Sequence, residues 1–160
     1  MTTPHTLAHL LFLLDTAYDH VSWHGPNLRG SLRGVTPRQA AWRPHPDRHN
    51  VWELAVHAAY WKYAVWRRLT GARRGSFPVE GSNWIRRPQQ ATARAWREDL
   101  RLLESTHREL RTAVAALEPR GLGRVRAGGK VTTLGLVTGA AAHDLYHAGQ
   151  VQILKRLMPR

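Results

Sequence analysis

The chain predicts an all-α fold, an antiparallel four-helix bundle with long connections, on three observations. Apolar residues recur at spacings of three and four along four stretches, and almost nowhere do they alternate as a strand requires. Each stretch is bounded by capping residues or by glycine and proline. The 160 residues can bury a core without staples, so one domain spanning 1–160 is expected and no second is needed.

The first helix is expected from about Thr6 to Val21, with Leu7, Leu10, Leu11, Leu14, Tyr18 and Val21 on one face. A loop with Gly25, Pro26, Gly30 and Gly34 follows, and Thr36-Pro37 suggests a short helical turn ending before Pro44 and Pro46. Asn50 and Glu53 have capping-box spacing and open the second helix, which runs to about Leu69 and stops at Gly71. Gly75, Pro78, Gly81 and Pro88 then mark a connection long enough to cross the bundle or cover a site. The third helix is expected from about Pro88, well suited to a first turn, to Leu117 before Pro119. Gly121, Gly123, Gly128 and Gly129 make a turn region with a brief hairpin, and the fourth helix runs from an N-cap near Thr133 to about Met158.

Composition excludes several chemistries. With no cysteine, a disulfide framework, a thiolate zinc site and a cysteine nucleophile are ruled out, so a metal would need histidine, carboxylate or amide ligands. The apolar run Leu10 to Leu14 is short, has no basic region before it and meets Asp15 at once, so no secretion signal is expected. No apolar run approaches the roughly 20 residues of a membrane span, and a soluble, cytoplasmic protein with no membrane partner is expected. The net charge of +13 raises nucleic acid as a partner, but the excess arginines lie from Arg67 to Arg126, away from the histidine-bearing C-terminal segment. Glu98, Asp99, Glu104 and Glu109 are interspersed among them, favouring intrahelical pairing, and no reading motif with interleaved aromatics accompanies them. Both points argue against nucleic acid. Trp52, Tyr63 and Trp66 lie away from His57 on the second helix, where they either form the face of a homodimer or complete the monomer core.

The chemistry concentrates in AAAHDLYHAGQ, residues 140–150. On a wheel of about 100° per residue, His147 lies about 40° from His143, and Ala140, Leu136 and Leu154 lie within about 60°. His57 shares an inward face with Leu54, Trp61 and Ala64 on the second helix. Burying three imidazoles on such stripes demands partners for their ring nitrogens, and a divalent metal is one partner for all three. Spacing alone is a weak signal, because His5 with His9, His20 with His24, and His45 with His49 repeat it. The first pair projects away from the leucine stripe, the second straddles a helix end, and the third sits in a proline-broken loop. Gln150 lies near the ligand face and can orient a ligand or water, Asp144 lies about 100° from His143, and Tyr60 and Trp61 are either pocket lining or core.

The run HDLYHAGQ, the stretch Asn50-Val51-Trp52-Glu53-Leu54-Ala55-Val56-His57 and the preceding Trp42-Arg43-Pro44 together resemble the DinB-like, or YfiT-like, metalloenzymes. The resemblance spans nearly the whole chain, with Asn50 standing where many members have serine. It implies a four-helix bundle in which His57, His143 and His147 bind a divalent metal, most often zinc or nickel. It further implies a metal-dependent transferase using a low-molecular-weight thiol such as bacillithiol, mycothiol or glutathione against a small electrophile. A hydrolase using activated water is the alternative, and a non-catalytic metal-binding stress-response protein is another.

Overall fold

The computed structural model describes residues 5–126 and 128–159. Six helices follow in order: α1 (His5–Tyr18), α2 (Leu28–Leu32), α3 (Pro37–Ala41), α4 (Val51–Thr70), α5 (Ala93–Ala115) and α6 (Thr133–Leu157), with a 3-10 turn at Pro119–Gly121 before α6. There is no strand among the described residues. The expected hairpin reduces to a single antiparallel bridge between Val125 and Thr132.

The caps follow from side chains the sequence places at each start. Asn50, Thr92 and Thr132 each accept the backbone N–H three residues on, opening α4, α5 and α6. Thr36 and Gln39 form a complete capping box at α3. At α4 the box is only half made: Asn50 accepts from the Glu53 N–H, while the Glu53 carboxylate turns to Arg43, His49 and the Arg87 N–H. Gly71 closes α4 at φ 77°, a conformation that disfavours side chains with a Cβ.

Three boundaries differ from expectation. α1 ends at Tyr18, and Val21 stands almost fully exposed beyond it. α5 starts at Ala93 rather than Pro88, with Thr92 as its N-cap, while Arg87 ahead of it grips Asp99 at 2.6 and 2.8 Å. The region taken as a glycine loop contains α2, which packs against α6 and is capped by Asn27.

The four long helices form the bundle: α4 packs between α5 and α6, and α1 closes it on their other side. One apolar cluster gathers Tyr18, Val51, Leu54, Trp96, Leu103, Val151 and Leu154, and a second gathers Leu10, Leu14, Leu69, Val114 and Val137. Their membership gives the directions. α4 runs from the first cluster to the second while α6 returns, and α1 runs against α5. The long connection at 71–92 lets α4 and α5 descend side by side. Trp52 is wholly buried with its indole on Asp99, and Tyr63 is buried too, so these aromatics complete the monomer core.

The arginine-rich α5 pairs mostly outside itself. Among the described residues Arg94–Glu98 is the one ion pair within α5; Asp99 takes Arg87, Glu104 takes Arg29, and Arg111 reaches Asp15 on α1 at 2.6 Å. Carboxylates near the core side of α5 face neighbouring elements, where a fixed guanidinium can meet them bidentately. No helix among the described residues is long and apolar enough to cross a membrane.

Candidate metal centre

His57 on α4 and His143 and His147 on α6 are the three residues the helical wheels bring together, and they do meet. Their ligand atoms all lie within 4.8 Å of one another. His143 Nε2 stands 3.1 Å from His57 Nε2 and 3.0 Å from His147 Nε2. His57 and His147 are buried and His143 is partly so.

The other nitrogens of two rings are occupied by acceptors. His57 Nδ1–H donates to the Asn83 carbonyl at 3.0 Å, and His147 Nδ1–H donates to Gln150 Oε1 at 2.6 Å. In the neutral rings each Nε2 therefore carries a lone pair, and the two lone pairs point at His143. A single Nε2–H on His143 cannot satisfy both fully, whereas a cation between the three rings can. Nitrogens around a tetrahedral zinc stand about 3.3 Å apart, close to the spacing found, so the donor set fits a divalent metal.

Burial keeps these rings neutral. It pushes His57 down to about 4, with His147 and His49 adding to the effect, and His143 down to about 3, with His147, His57 and Lys62 adding. His147 is lowered by burial as well. Neutral imidazole is the ligating form, so no proton has to be displaced from these rings near pH 7.

The connection between α4 and α5 supplies the supports that periodicity did not reveal. Asn83 holds φ 56°, a left-handed conformation that asparagine tolerates better than most residues. It turns its carbonyl to His57 while its side-chain oxygen accepts the Trp61 indole N–H at 2.9 Å. Trp84 stacks on His57 at 3.7 Å between ring centroids and on His49 at 3.6 Å. His49 also bonds Glu53 at 3.1 Å. Arg43 and Arg87, clamped on Glu53 and Asp99, anchor the chain on both sides of this cover. Gly81-Ser82-Asn83 was the available signal, since asparagine in a glycine-serine turn favours positive φ.

The remaining histidines stay apart from the centre. His9, His20, His24 and His45 are exposed, with His20 against Asp19, and the side chain of His5 lies outside the described residues. His107, whose role no spacing suggested, is buried on α5 beside Lys62 and stacks on Tyr18 at 3.8 Å. Burial pushes it down to about 2, helped by the charges of Lys62 and Arg111.

These depressed values fix an acid sensitivity. The unfolded chain takes up protons near 6.5 on groups that stay neutral when folded, so stability is present above about pH 6.5 and is lost as pH falls toward the folded values. Metal-free protein is expected to lose urea resistance from pH 6.5 down to 5, taking up about two to three protons on unfolding. That window precedes most carboxylate titration. A midpoint that stays flat between pH 7 and 5 would contradict the burial of these rings as neutral groups.

Residues 20–151 match the family model of the DinB superfamily. No curated protein and no solved structure matches the chain.

Proposed function

The chain belongs to the DinB superfamily, and on that premise we propose that it is a metal-dependent thiol S-transferase whose His57, His143 and His147 hold a divalent cation, zinc or nickel. The observation that carries this reading is the convergence of three Nε2 atoms with the outer nitrogens of two rings already engaged. When bound, the ion supplies Lewis acidity at its open position, lowering the pKa of a small thiol so that sulfur becomes nucleophilic at neutral pH. The cysteine-free chain has no thiol of its own to offer.

Its residues hold and shape the site. The Asn83 carbonyl and the Gln150 amide fix the tautomers of His57 and His147. Trp84 covers one face of His57 and excludes water there. Glu53 is saturated by Arg43, His49 and the Arg87 N–H, and Asp144 pairs with Lys62, so neither carboxylate is placed to take a proton from water. This favours a thiol, already far more acidic than water, over hydrolysis.

Beside Trp61, whose edge meets both His57 and His143, lies a cavity of about 350 Å³ lined by Tyr60, Phe77, Arg67, Arg68, Arg74 and Glu80 among others. Three cations against one carboxylate suit a thiol or electrophile that carries acidic groups. Removing a tautomer support has a measurable consequence. Gln150→Ala is expected to weaken metal binding about 10–100-fold with the fold retained, read by competition with a chelator; an unchanged affinity would assign Gln150 to helix packing alone.

The function is tested with tag-free protein loaded with zinc or nickel, assayed with an activated aryl chloride and bacillithiol, mycothiol or glutathione. Product is expected only when metal and thiol are both present, and none from His143→Ala. Turnover of ester or amide substrates without thiol would replace this reading with a metal-dependent hydrolase. Loss of thermal stability on chelation, with no turnover in either assay, would leave a non-catalytic metal-binding protein.

A further inference from the structure

A cavity of about 650 Å³ lies away from the metal centre, between α2 with the turn after it and the first half of α5. Leu32, Val35, Trp96, Leu100 and Leu103 give it apolar walls, and Arg29, Arg33, Arg97 and Arg101 line it together with a single acid, Glu104. Arg29 is drawn toward Asp19 and Glu104 at 3.5 and 3.6 Å. Among the described residues, Arg33, Arg97 and Arg101 form no ion pair, although Glu98, one turn before Arg101 on α5, feels its charge. An arginine-rich exterior alone would carry nothing, since solvated guanidinium groups are ordinary on a chain of this charge.

Tyr18 supplies the independent observation. It also lines this cavity, its residue is 2 % exposed, and its hydroxyl makes no hydrogen bond to any described residue. Its ring is fixed from behind by His107, stacked at 3.8 Å, and by Lys62 Nζ at 4.8 Å from the centroid. The hydroxyl oxygen is not sealed in the core, since among the described residues the buried side-chain oxygen without a partner is Asp144 Oδ1; it stays open to an acceptor that enters the cavity. Burial, with Glu104 and Asp144 adding, also raises the phenol above its ordinary value, which keeps the proton available for donation.

We propose that this cavity is a binding site for a small anionic amphiphile, a carboxylate head on an apolar body, with Arg33, Arg97 and Arg101 taking the head and Tyr18 donating its hydroxyl to an oxygen of the same ligand. The apolar body lies along Leu32, Trp96, Leu100 and Leu103. A concave lining that includes a phenol hydroxyl fits a single small molecule better than a flat anionic surface. The site needs no occupant at the histidine cluster, so it stands or falls separately from the transferase reading.

Calorimetric titration with decanoate, decanol and acetate tests it, on wild type, Tyr18→Phe, Arg97→Glu/Arg101→Glu and the charge-matched control Arg124→Glu/Arg156→Glu. Decanoate is expected to bind, with decanol and acetate each at least about tenfold weaker, because head and body both contribute. Arg97→Glu/Arg101→Glu should lose at least about tenfold, Tyr18→Phe about three- to tenfold, and the control less than about twofold. Each variant is compared only where its far-UV spectrum and metal content match wild type. Equal binding of decanoate and decanol, equal loss in the control pair, or decanoate binding untouched by Tyr18→Phe and Arg97→Glu/Arg101→Glu would each overturn the proposal. Decanoate engaging only above its micellar concentration, or only as part of anionic vesicles, would overturn it in favour of a lipid surface. Should Tyr18→Phe fail to fold, the arginine pairs and the ligand series decide alone.

Discussion

His57→Ala and His147→Ala are each expected to reduce bound metal from about one ion per chain to below about a tenth, because two imidazoles cannot hold a divalent cation as three do. Elemental analysis of tag-free protein, dialysed against a weak chelator, makes the measurement. The two variants also differ in what they disturb. His57→Ala removes the ring that Trp84 covers and that Asn83 pins, so the 71–92 connection should loosen along with the metal. His147→Ala releases Gln150 on the same helix and gives up an edge contact to Trp84 at 6.0 Å between centroids, so it should loosen the connection less than His57→Ala, which loses both the stacked face of Trp84 and the bond to Asn83. Proteolysis in the connection therefore rises more in the first variant than in the second. Full metal retention in both would remove the centre from these three histidines. Retention in one alone would show that Asn83 or another oxygen ligand can substitute there.

The meeting of the three histidines was legible because helical periodicity is local. His143 and His147 sit one turn apart, and their flanking leucines and alanines give the inward direction without knowledge of the partner helix. His57 was legible for the same reason on α4. What places Asn83 and Trp84 over His57 is a connection whose contact with the ring spans 26 residues, and no period runs through a segment with Gly75, Pro78 and Gly81. The later start of α5 was hidden because Pro88 and Thr92 both satisfy usual signals for a helix start, and the contacts of Arg87 with Glu53 and Asp99 that hold the chain ahead of Thr92 are made across the fold. α2 has five residues, one of them Gly30, too few to show a periodicity. The polar middle of the bundle was illegible for another reason. Lys62, His107 and Asp144 stand on three helices, each reading as an isolated polar exception on its own wheel, and only packing shows that they meet.

That meeting gives the second large effect. Lys62→Met is expected to destabilise the protein by about 3–5 kcal/mol, because it leaves the Asp144 carboxylate buried without its cation. Lys62 is 2 % exposed and Asp144 is 0 % exposed, and Lys62 Nζ donates to Asp144 Oδ2 and approaches His107 Nδ1 at 3.3 Å. Asp144 Oδ1 has no hydrogen-bond partner among the described residues, so the carboxylate is already incompletely satisfied. Burial raises the Asp144 carboxyl and Lys62 opposes that shift, so removing the cation leaves the burial of the acid unopposed. The pair is therefore weak evidence of net stabilisation, and the double variant Lys62→Met/Asp144→Leu should recover most of the loss, ending within about 1–2 kcal/mol of wild type. Urea unfolding of metal-free protein reads both numbers. If the double variant falls as far as Lys62→Met, the loss comes from packing around the lysine stem and not from an abandoned charge. The pair also joins α4 to α6 beside His143, so its replacement by apolar side chains should restore stability while leaving metal affinity lowered: the double variant keeps the helices together but no longer fixes their rotation, and with it the angle at which His143 meets His57. Metal affinity restored along with stability would show that packing alone sets that angle.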